Sequence, residues 1–141
     1  MLEFQKISTA IDMLPHWSLI KQLTPELTQD RYSSMLAEMV KHNYFQVGVF
    51  EGGRCIAVSG YWIGYKLYCG KYLEIDNFVV DQAHRSQGVG EQVLQWLEEE
   101  ARCEGCDLIM LDAYVENFKA HSFYNAHGFH ARGHHYLKQL S

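Results

Sequence analysis

The sequence predicts a mixed α/β domain in which a mostly antiparallel sheet is flanked by helices. Short strand-like segments follow one another between residues 44 and 80 and are separated by turns. A helix-periodic segment at 88–103 then precedes an apolar segment at 107–113, which is the pattern of a strand–helix–strand crossover. With 141 residues and 48% hydrophobic composition, the chain can bury one core, so a single domain over 1–141 is expected.

The N-terminal half is predicted to contain most of the sheet. In chain order we expect a strand at 2–7, helices at 9–22 and 28–42, and strands at 44–50, 55–67 and 71–80. Residues 2–7 alternate as a short strand does. Leu36, Met39 and Val40 recur at helical spacing. Gly52-Gly53 supplies a hairpin turn, so the three later strands form an antiparallel meander.

The C-terminal half is predicted to alternate between helices and strands. We expect a helix at 88–103, a strand at 107–113, a helix at 117–127 and a closing hairpin or extended strand at 130–140. The first helix has a buried stripe that steps by four residues, formed by Val89, Val93, Leu97 and Ala101. The strand at 107–113 is nearly all apolar, which predicts burial on both faces. Gly128 is expected to end the last helix in a left-handed conformation.

Composition and charge exclude several classes of function. The net charge of -5, without any run of Lys and Arg, argues against a nucleic-acid-binding surface. The sequence has no apolar stretch of membrane-spanning length. Its N-terminus lacks a signal-peptide pattern, and four cysteines fit a reducing compartment, so a cytoplasmic location is expected. The pair Cys103-x-x-Cys106 has no second pair to complete a zinc site, and the clustered C-terminal histidines are interpreted as surface residues, so no metal site is predicted.

A glycine-containing loop joins the strand at 71–80 to the following helix. It consists of Arg85, Ser86, Gln87, Gly88, Val89 and Gly90. A helix N-terminus with bare backbone can bind an anion, but glycines can also serve only to relieve strain in a tight turn. The loop follows the C-terminal end of a strand, which is where α/β sheets usually bind ligands.

Two motifs resemble the GCN5-related N-acetyltransferases. The first is Arg85-x-x-Gly88-x-Gly90 after the strand. The second is Asn117-x-x-Ala120-x-x-Phe123-Tyr124 followed by Gly128-Phe129. Both occur in the family's order, about thirty residues apart, and the resemblance covers roughly residues 44–131. It implies the acyltransferase fold of this family, with a sheet splayed open where acetyl-CoA enters.

The resemblance also implies roles for individual residues. Residues 85–90 would hold the pyrophosphate of acetyl-CoA, and the backbone of Phe78, Val79 and Val80 would bond its pantetheine arm. The matching helix would place Asn117, Ala120 and Phe123 near the cofactor and Tyr124 as the proton donor to the departing thiolate. The alternatives are a plain helix cap for Asn117 and a core aromatic for Tyr124.

Two carboxylates in the strand at 71–80 are candidate acceptor-site residues. Glu74 and Asp76 are two residues apart and should share a face of the sheet. They suit attraction of a cationic amine and general-base catalysis. The alternative is that they are surface charges on an exposed face. A bulge is also expected in this strand, and a bulge can turn a side chain away from its face.

The function that this reading implies is N-acetyl transfer from acetyl-CoA to a primary amine. We expect a small acceptor such as a polyamine, an amino acid or an antibiotic-like amine. The alternatives are a protein or peptide N-acetyltransferase, a non-catalytic acyl-CoA sensor and a nucleotide-binding module that uses the same glycine turn. A homodimer is a further expectation from the resemblance.

Overall fold

A computed structural model of the chain describes residues 1–140. Its strands are β1 (Leu2–Ile7), β2 (Tyr44–Glu51), β3 (Arg54–Lys66), β4 (Gly70–Val80) and β5 (Leu108–Leu111). Its α-helices are α1 (Ala10–Met13), α2 (Trp17–Leu23), α3 (Gln29–Met39), α4 (Val89–Cys103) and α5 (Phe118–Ala126). The predicted order of elements is confirmed as far as α5.

The strands form one mixed sheet in the order β1-β2-β3-β4-β5. The first four strands are antiparallel neighbours. The backbone N–H of Asp107, just before β5, donates to the carbonyl of Lys71 near the start of β4 at 2.7 Å. Because both strands begin at this point, they run in the same direction. The predicted meander and the predicted crossover through α4 are therefore both confirmed.

The sheet is covered by helices on its two faces. On one face, α1 to α3 pack against a core whose members include Met13, Leu36, Tyr44, Val58 and Val79. On the other face, α4 buries the stripe predicted for it, formed by Val89, Val93, Leu94, Leu97 and Ala101. Burial of these apolar side chains is the main stabilising contribution that holds the helices to the sheet.

The helix predicted at 9–22 is interrupted. Residues Leu14–His16 form a 3-10 turn between α1 and α2, with Pro15 in its first turn. Proline has no N–H to donate and its ring clashes with the carbonyl four residues earlier, so it kinks or breaks an α-helix at this position.

The strand predicted at 107–113 is shorter than expected, and the prediction that it is buried on both faces is wrong. β5 has four residues, all of them half-buried. It is the last strand in the sheet order, so within residues 1–140 only one of its edges is paired. An apolar segment can therefore resemble a central strand in sequence and still lie at the edge of a sheet.

The closing hairpin or strand predicted at 130–140 is also wrong. These residues contain no strand or helix, and all of them are exposed. The apolar side chains Tyr136, Leu137 and Leu140 do not alternate, and Gly133 interrupts the segment. Such a segment cannot present an apolar face, which a short hairpin needs for stability.

The chain divides into two compact units, residues 1–110 and the residues from Leu111 onward. The first unit contains β1 to β4, α1 to α4 and most of β5, and the second contains α5. The longest helix, α4, has 15 residues and one polar face. Within residues 1–140, no helix is long and apolar enough to cross a membrane.

Candidate active site

The C-terminal part of β4 contains the bulge that the sequence predicts. Its register against β3 shifts between Val58 and Gly60, because Val79 faces Val58 while Asp76 faces Gly60. The extra residue lies at Asn77, which has a left-handed backbone with φ of 58°. A bulge of this kind bends the strand and changes the direction of its side chains.

Glu74 and Asp76 share one face of β4, as predicted. They face Trp62 and Gly60 of β3 in regular register, and the bulge comes only after Asp76. Both are half-buried. Leu73 and Ile75, which alternate with them along β4, are buried on the opposite face. The indole N–H of Trp62 donates to Oδ2 of Asp76 at 3.0 Å and holds that carboxylate in place.

The two sides of β4 differ in how far a neighbouring strand accompanies them. On the β3 side, Val79 and Val80 are paired with Val58 and Ala57. On the other side β5 has only four residues and begins beside Lys71, so it accompanies only the first part of β4. β5 therefore ends before it reaches the last residues of β4.

The loop after β4 is tied to the strand by hydrogen bonds. The Arg85 side chain donates from Nε to the carbonyl of Val80 at 3.2 Å. The loop then passes through two left-handed residues, Ser86 with φ of 66° and Gly88 with φ of 79°. This path brings the chain to the N-terminus of α4 directly beside the end of β4.

The N-terminus of α4 differs from that of most other helices in the chain. Within residues 1–140, no side-chain hydrogen bond caps α4, whose N-cap residue is Gly88. Three other helices begin with a side-chain cap, provided by Thr9, Thr28 and Asn117. A Cβ placed on Gly88 would have no atom within 4 Å, so the space in front of the helix is open. Uncapped N–H groups, the positive end of the dipole and open space together suit an anion such as a phosphate.

Asp81 anchors the loop at its first residue, and the sequence analysis missed it. Its Oδ1 accepts from the amide of Gln22 on α2 at 3.1 Å, and its Oδ2 lies 3.2 Å from Nδ1 of His84. These hydrogen bonds from Gln22 and His84 hold the pKa of Asp81 below its ordinary value. Gln22 is 59 positions away in the chain, and no local pattern in the sequence signals such a contact.

In the second unit, α5 carries the residues of the second motif. Oδ1 of Asn117 accepts from the backbone N–H of Ala120 at 3.2 Å, so the alternative interpretation of Asn117 as a helix cap is confirmed. Tyr124 is half-buried, with its ring 5.2 Å from Phe123 and 5.6 Å from Phe129. Burial raises the pKa of Tyr124, which keeps its hydroxyl protonated. Gly128 has φ of 89°, as predicted for the end of this helix.

The cysteines and C-terminal histidines have ordinary structural partners. Cys103 and Cys106 are free thiols, as interpreted from the sequence. His121 lies 2.9 Å from the carbonyl of Tyr114, and His127 lies 2.7 Å from the carbonyl of Phe123. Across the described residues, no group of three or more His, Cys, Asp or Glu side chains is placed to hold a metal ion.

Comparison with known proteins assigns this arrangement to one family. Residues 12–129 match the acetyltransferase (GNAT) family. An uncharacterized N-acetyltransferase of Bacillus subtilis (strain 168) is 23% identical over 125 residues, covering 88% of each chain. Glucosamine 6-phosphate N-acetyltransferase 1 of Oryza sativa subsp. japonica is 29% identical over 118 residues, covering 82% of this chain and 72% of the other.

A solved structure has the same fold. An aminoglycoside N-acetyltransferase in complex with CoA superposes with a TM-score of 0.82 at 21% identity, covering 99% of this chain and 96% of the other.

Proposed function

Because the chain belongs to the acetyltransferase (GNAT) family, which its match over residues 12–129 shows, we propose that it transfers the acetyl group of acetyl-CoA to the primary amine of a small molecule. The observation that carries this proposal is the uncapped N-terminus of α4, which follows the loop that leaves the end of β4. The N–H groups of this helix start would bind phosphate, and the neighbouring end of β4 would bond an extended amide chain as an added strand does.

The residues present fit acetyl-CoA. The pyrophosphate would lie against the loop of residues 85–90, where the open space at Gly88 would be filled by a larger side chain. The pantetheine arm would bond the backbone of Phe78, Val79 and Val80. Asn117, Ala120 and Phe123 of α5 would lie near the cofactor, as the family resemblance implies. The solved relative that was crystallised in complex with CoA supports this assignment.

The reaction needs a proton removed and a proton supplied. Acetyl-CoA supplies an acetyl group activated as a thioester. Glu74 and Asp76 would attract an ammonium ion and take its proton, directly or through a water molecule. A backbone N–H of β4 would stabilise charge on the thioester oxygen. Tyr124, which burial keeps protonated, would donate a proton to the thiolate.

The acceptor is proposed to be a small cationic amine. The two half-buried carboxylates favour a positively charged group. Relatives named for small amines, such as the glucosamine 6-phosphate enzyme of rice and the aminoglycoside enzyme, support a small molecule. A protein or peptide acceptor and a non-catalytic sensor are the alternatives.

The proposal extends to the domain organisation, location and partners of the chain. We propose that residues 1–141 act as one domain in the cytoplasm, where the four free cysteines would remain reduced. The net charge of -5 favours a small-molecule partner over a nucleic acid. A homodimer remains a prediction from the family resemblance.

The test is a screen of amines that follows release of free CoA thiol from acetyl-CoA. The panel contains polyamines, amino acids, aminoglycosides and a peptide with a lysine and a free N-terminus. Thiol release with a small amine supports the proposal, and release with the peptide alone favours the protein-acetylating alternative.

A second experiment measures binding of acetyl-CoA, CoA and NAD by calorimetry. Binding of acetyl-CoA without release by any amine would favour a sensor, and binding of NAD alone would favour the nucleotide-binding module.

A further inference from the structure

A chain of buried polar groups leads from the N-terminal helices to the bulge in β4. It starts at His16, whose Nδ1 lies 2.8 Å from Oε1 of Gln46 on β2. The amide nitrogen of Gln46 then reaches the hydroxyls of Tyr32 at 3.1 Å and Tyr44 at 3.2 Å. The Tyr44 hydroxyl in turn donates to Oδ1 of Asn77 at 3.1 Å.

Every hydrogen bond in this chain has a defined direction. Oε1 of Gln46 can only accept, so Nδ1 of His16 carries a hydrogen and donates it. The two amide hydrogens of Gln46 go to the two tyrosine hydroxyls. Tyr32 passes its own hydrogen to the carbonyl of Met13 at 2.8 Å, and Tyr44 passes its hydrogen to Asn77. Gln46 is fully buried, so the loss of any one partner would leave a polar group unsatisfied.

The contact between Tyr44 and Asn77 spans an intervening strand. Tyr44 lies on β2 and Asn77 on β4, with β3 between them. The Tyr44 ring crosses β3 at Gly60, where an added Cβ would lie 2.7 Å from two of its ring carbons. Only a glycine leaves room for this crossing. Trp62 packs against the Tyr44 ring, with 4.9 Å between the two ring centroids.

Asn77 is the residue whose backbone makes the bulge. It holds a left-handed φ of 58°, a conformation that most side chains disfavour and asparagine tolerates. It is flanked by Asp76 and by Phe78 to Val80, which are the acceptor-site carboxylate and the cofactor edge of the proposed function. The conformation of Asn77 therefore sets the orientation of Asp76 on one side and of residues 78–80 on the other.

We propose that Tyr44 and Gln46 are positioning residues that hold Asn77 in its left-handed conformation, and so fix the bulge that aims residues 76–80. The inference rests on the proposed function for what the segment binds, but not for the structural effect. Nothing in the chain of hydrogen bonds touches the reacting atoms, so these residues act through the geometry of β4.

The test compares two buried tyrosines that share Gln46. Tyr44→Phe removes one hydroxyl and releases both Gln46 and Asn77. Tyr32→Phe also removes one hydroxyl bonded to Gln46, but its other partner is the carbonyl of Met13 rather than the bulge. Both variants should lower the melting temperature. Only Tyr44→Phe should speed amide hydrogen exchange in residues 76–80 of the ligand-free protein, by about tenfold or more.

Binding is the second measurement. Tyr44→Phe should weaken acetyl-CoA binding by about tenfold, while Tyr32→Phe leaves it unchanged. Asn77→Ala removes the same hydrogen bond from the Asn77 side, so it should also speed exchange in residues 76–80 and weaken acetyl-CoA binding. This variant tests the proposal if Tyr44→Phe does not fold. Equal exchange in residues 76–80 for the two tyrosine variants would overturn the positioning role. If wild-type protein does not bind acetyl-CoA, the proposed function fails, and the exchange measurement still decides whether Tyr44 fixes the bulge.

Discussion

At the scale of single residues, the hydroxyl of Tyr124 is the clearest test of the proposed chemistry. Tyr124→Phe removes the proposed proton donor and little volume, so acetyl-CoA affinity should be unchanged while the single-turnover rate falls by roughly 10²- to 10⁴-fold. Burial raises the pKa of this hydroxyl above its ordinary value of 10.0, so the donor should stay active throughout the neutral and mildly alkaline range. Tyr114→Phe, at an exposed tyrosine of the same unit, is the control and should leave the rate unchanged. A single-turnover rate that Tyr124→Phe lowers only slightly would assign proton donation to solvent or another group.

The acceptor-site carboxylates give a second residue-scale prediction. The double change Glu74→Gln and Asp76→Asn removes two negative charges, so activity on amines should fall and the salt dependence of substrate binding should weaken. The control, Glu98→Gln with Glu99→Gln, makes the same change in net charge on α4. Thiol-release rates are measured across salt concentration and pH. Equal rates and an unchanged pH profile in the β4 double variant would mean that these carboxylates are surface charges.

His16 gives a prediction about stability rather than catalysis. Burial lowers the pKa of His16 below its ordinary value of 6.5. The unfolded chain therefore takes up a proton at a higher pH than the folded chain does. The contribution of neutral His16 should be complete above about pH 7 and should decline as pH falls through the unfolded pKa towards the lower folded one.

The measurement for His16 is the urea midpoint between about pH 8 and about pH 5, for wild type and for His16→Gln. The variant lacks the titrating group, so its midpoint should depend less on pH even if it is less stable overall. Parallel pH dependence in the two proteins would contradict the assignment to His16.

The sequence alone indicated some of these residues and not others. Gly88 and the pair of carboxylates could be predicted, because a few neighbouring residues in one loop or one strand are enough to indicate them. Tyr44 and Gln46 could not, because Tyr44 bonds Asn77 across the sheet, 33 positions away, and Gln46 bonds His16, 30 positions away. A glutamine at an inward position of an apolar strand is the only signal, and it identifies a buried polar group without naming its partner.

At the scale of elements, Gly60 and Gly64 of β3 allow a matched pair of alanine substitutions. A Cβ on Gly60 would meet the buried ring of Tyr44, which is 1% exposed and has nowhere to move. A Cβ on Gly64 would meet Tyr72, which is only half-buried and can shift towards solvent. Gly60→Ala should therefore destabilise the protein by about 1–3 kcal/mol in chemical denaturation, and Gly64→Ala by clearly less. Equal losses for the two variants would show that the crossing of Tyr44 over β3 is not tightly packed.

The elements that the sequence predicted well are those with strong periodicity. α4 and the strands of the meander carry a regular apolar pattern, and each was found within a few residues of its expected bounds. The failures at β5 and at residues 130–140 have a common physical origin. Whether an apolar segment becomes a central strand, an edge strand or no strand depends on which partner lies beside it, and local sequence does not determine that partner.

At the scale of the whole molecule, the two ends of α4 offer different groups to a ligand. Gly88 at its start and Gly105 just after its end both have positive φ, 79° and 73°, and both face open space. A side chain at either position should be strained by a similar amount, about 1–2 kcal/mol. Only the start of the helix presents N–H groups to a phosphate, so only there should a side chain also affect binding.

The most direct measurement is calorimetric titration of acetyl-CoA into wild type, Gly88→Val and Gly105→Val, with acetyl-pantetheine as a ligand that lacks the phosphates. Gly88→Val should weaken acetyl-CoA binding by roughly 10- to 100-fold, through the loss of hydrogen bonds to the charged pyrophosphate, and should leave acetyl-pantetheine binding as it is in wild type. Gly105→Val should lower stability to a similar degree and bind both ligands normally. An unchanged affinity of folded Gly88→Val for acetyl-CoA, or an equal loss in both variants, would contradict the assignment of the pyrophosphate to this helix N-terminus.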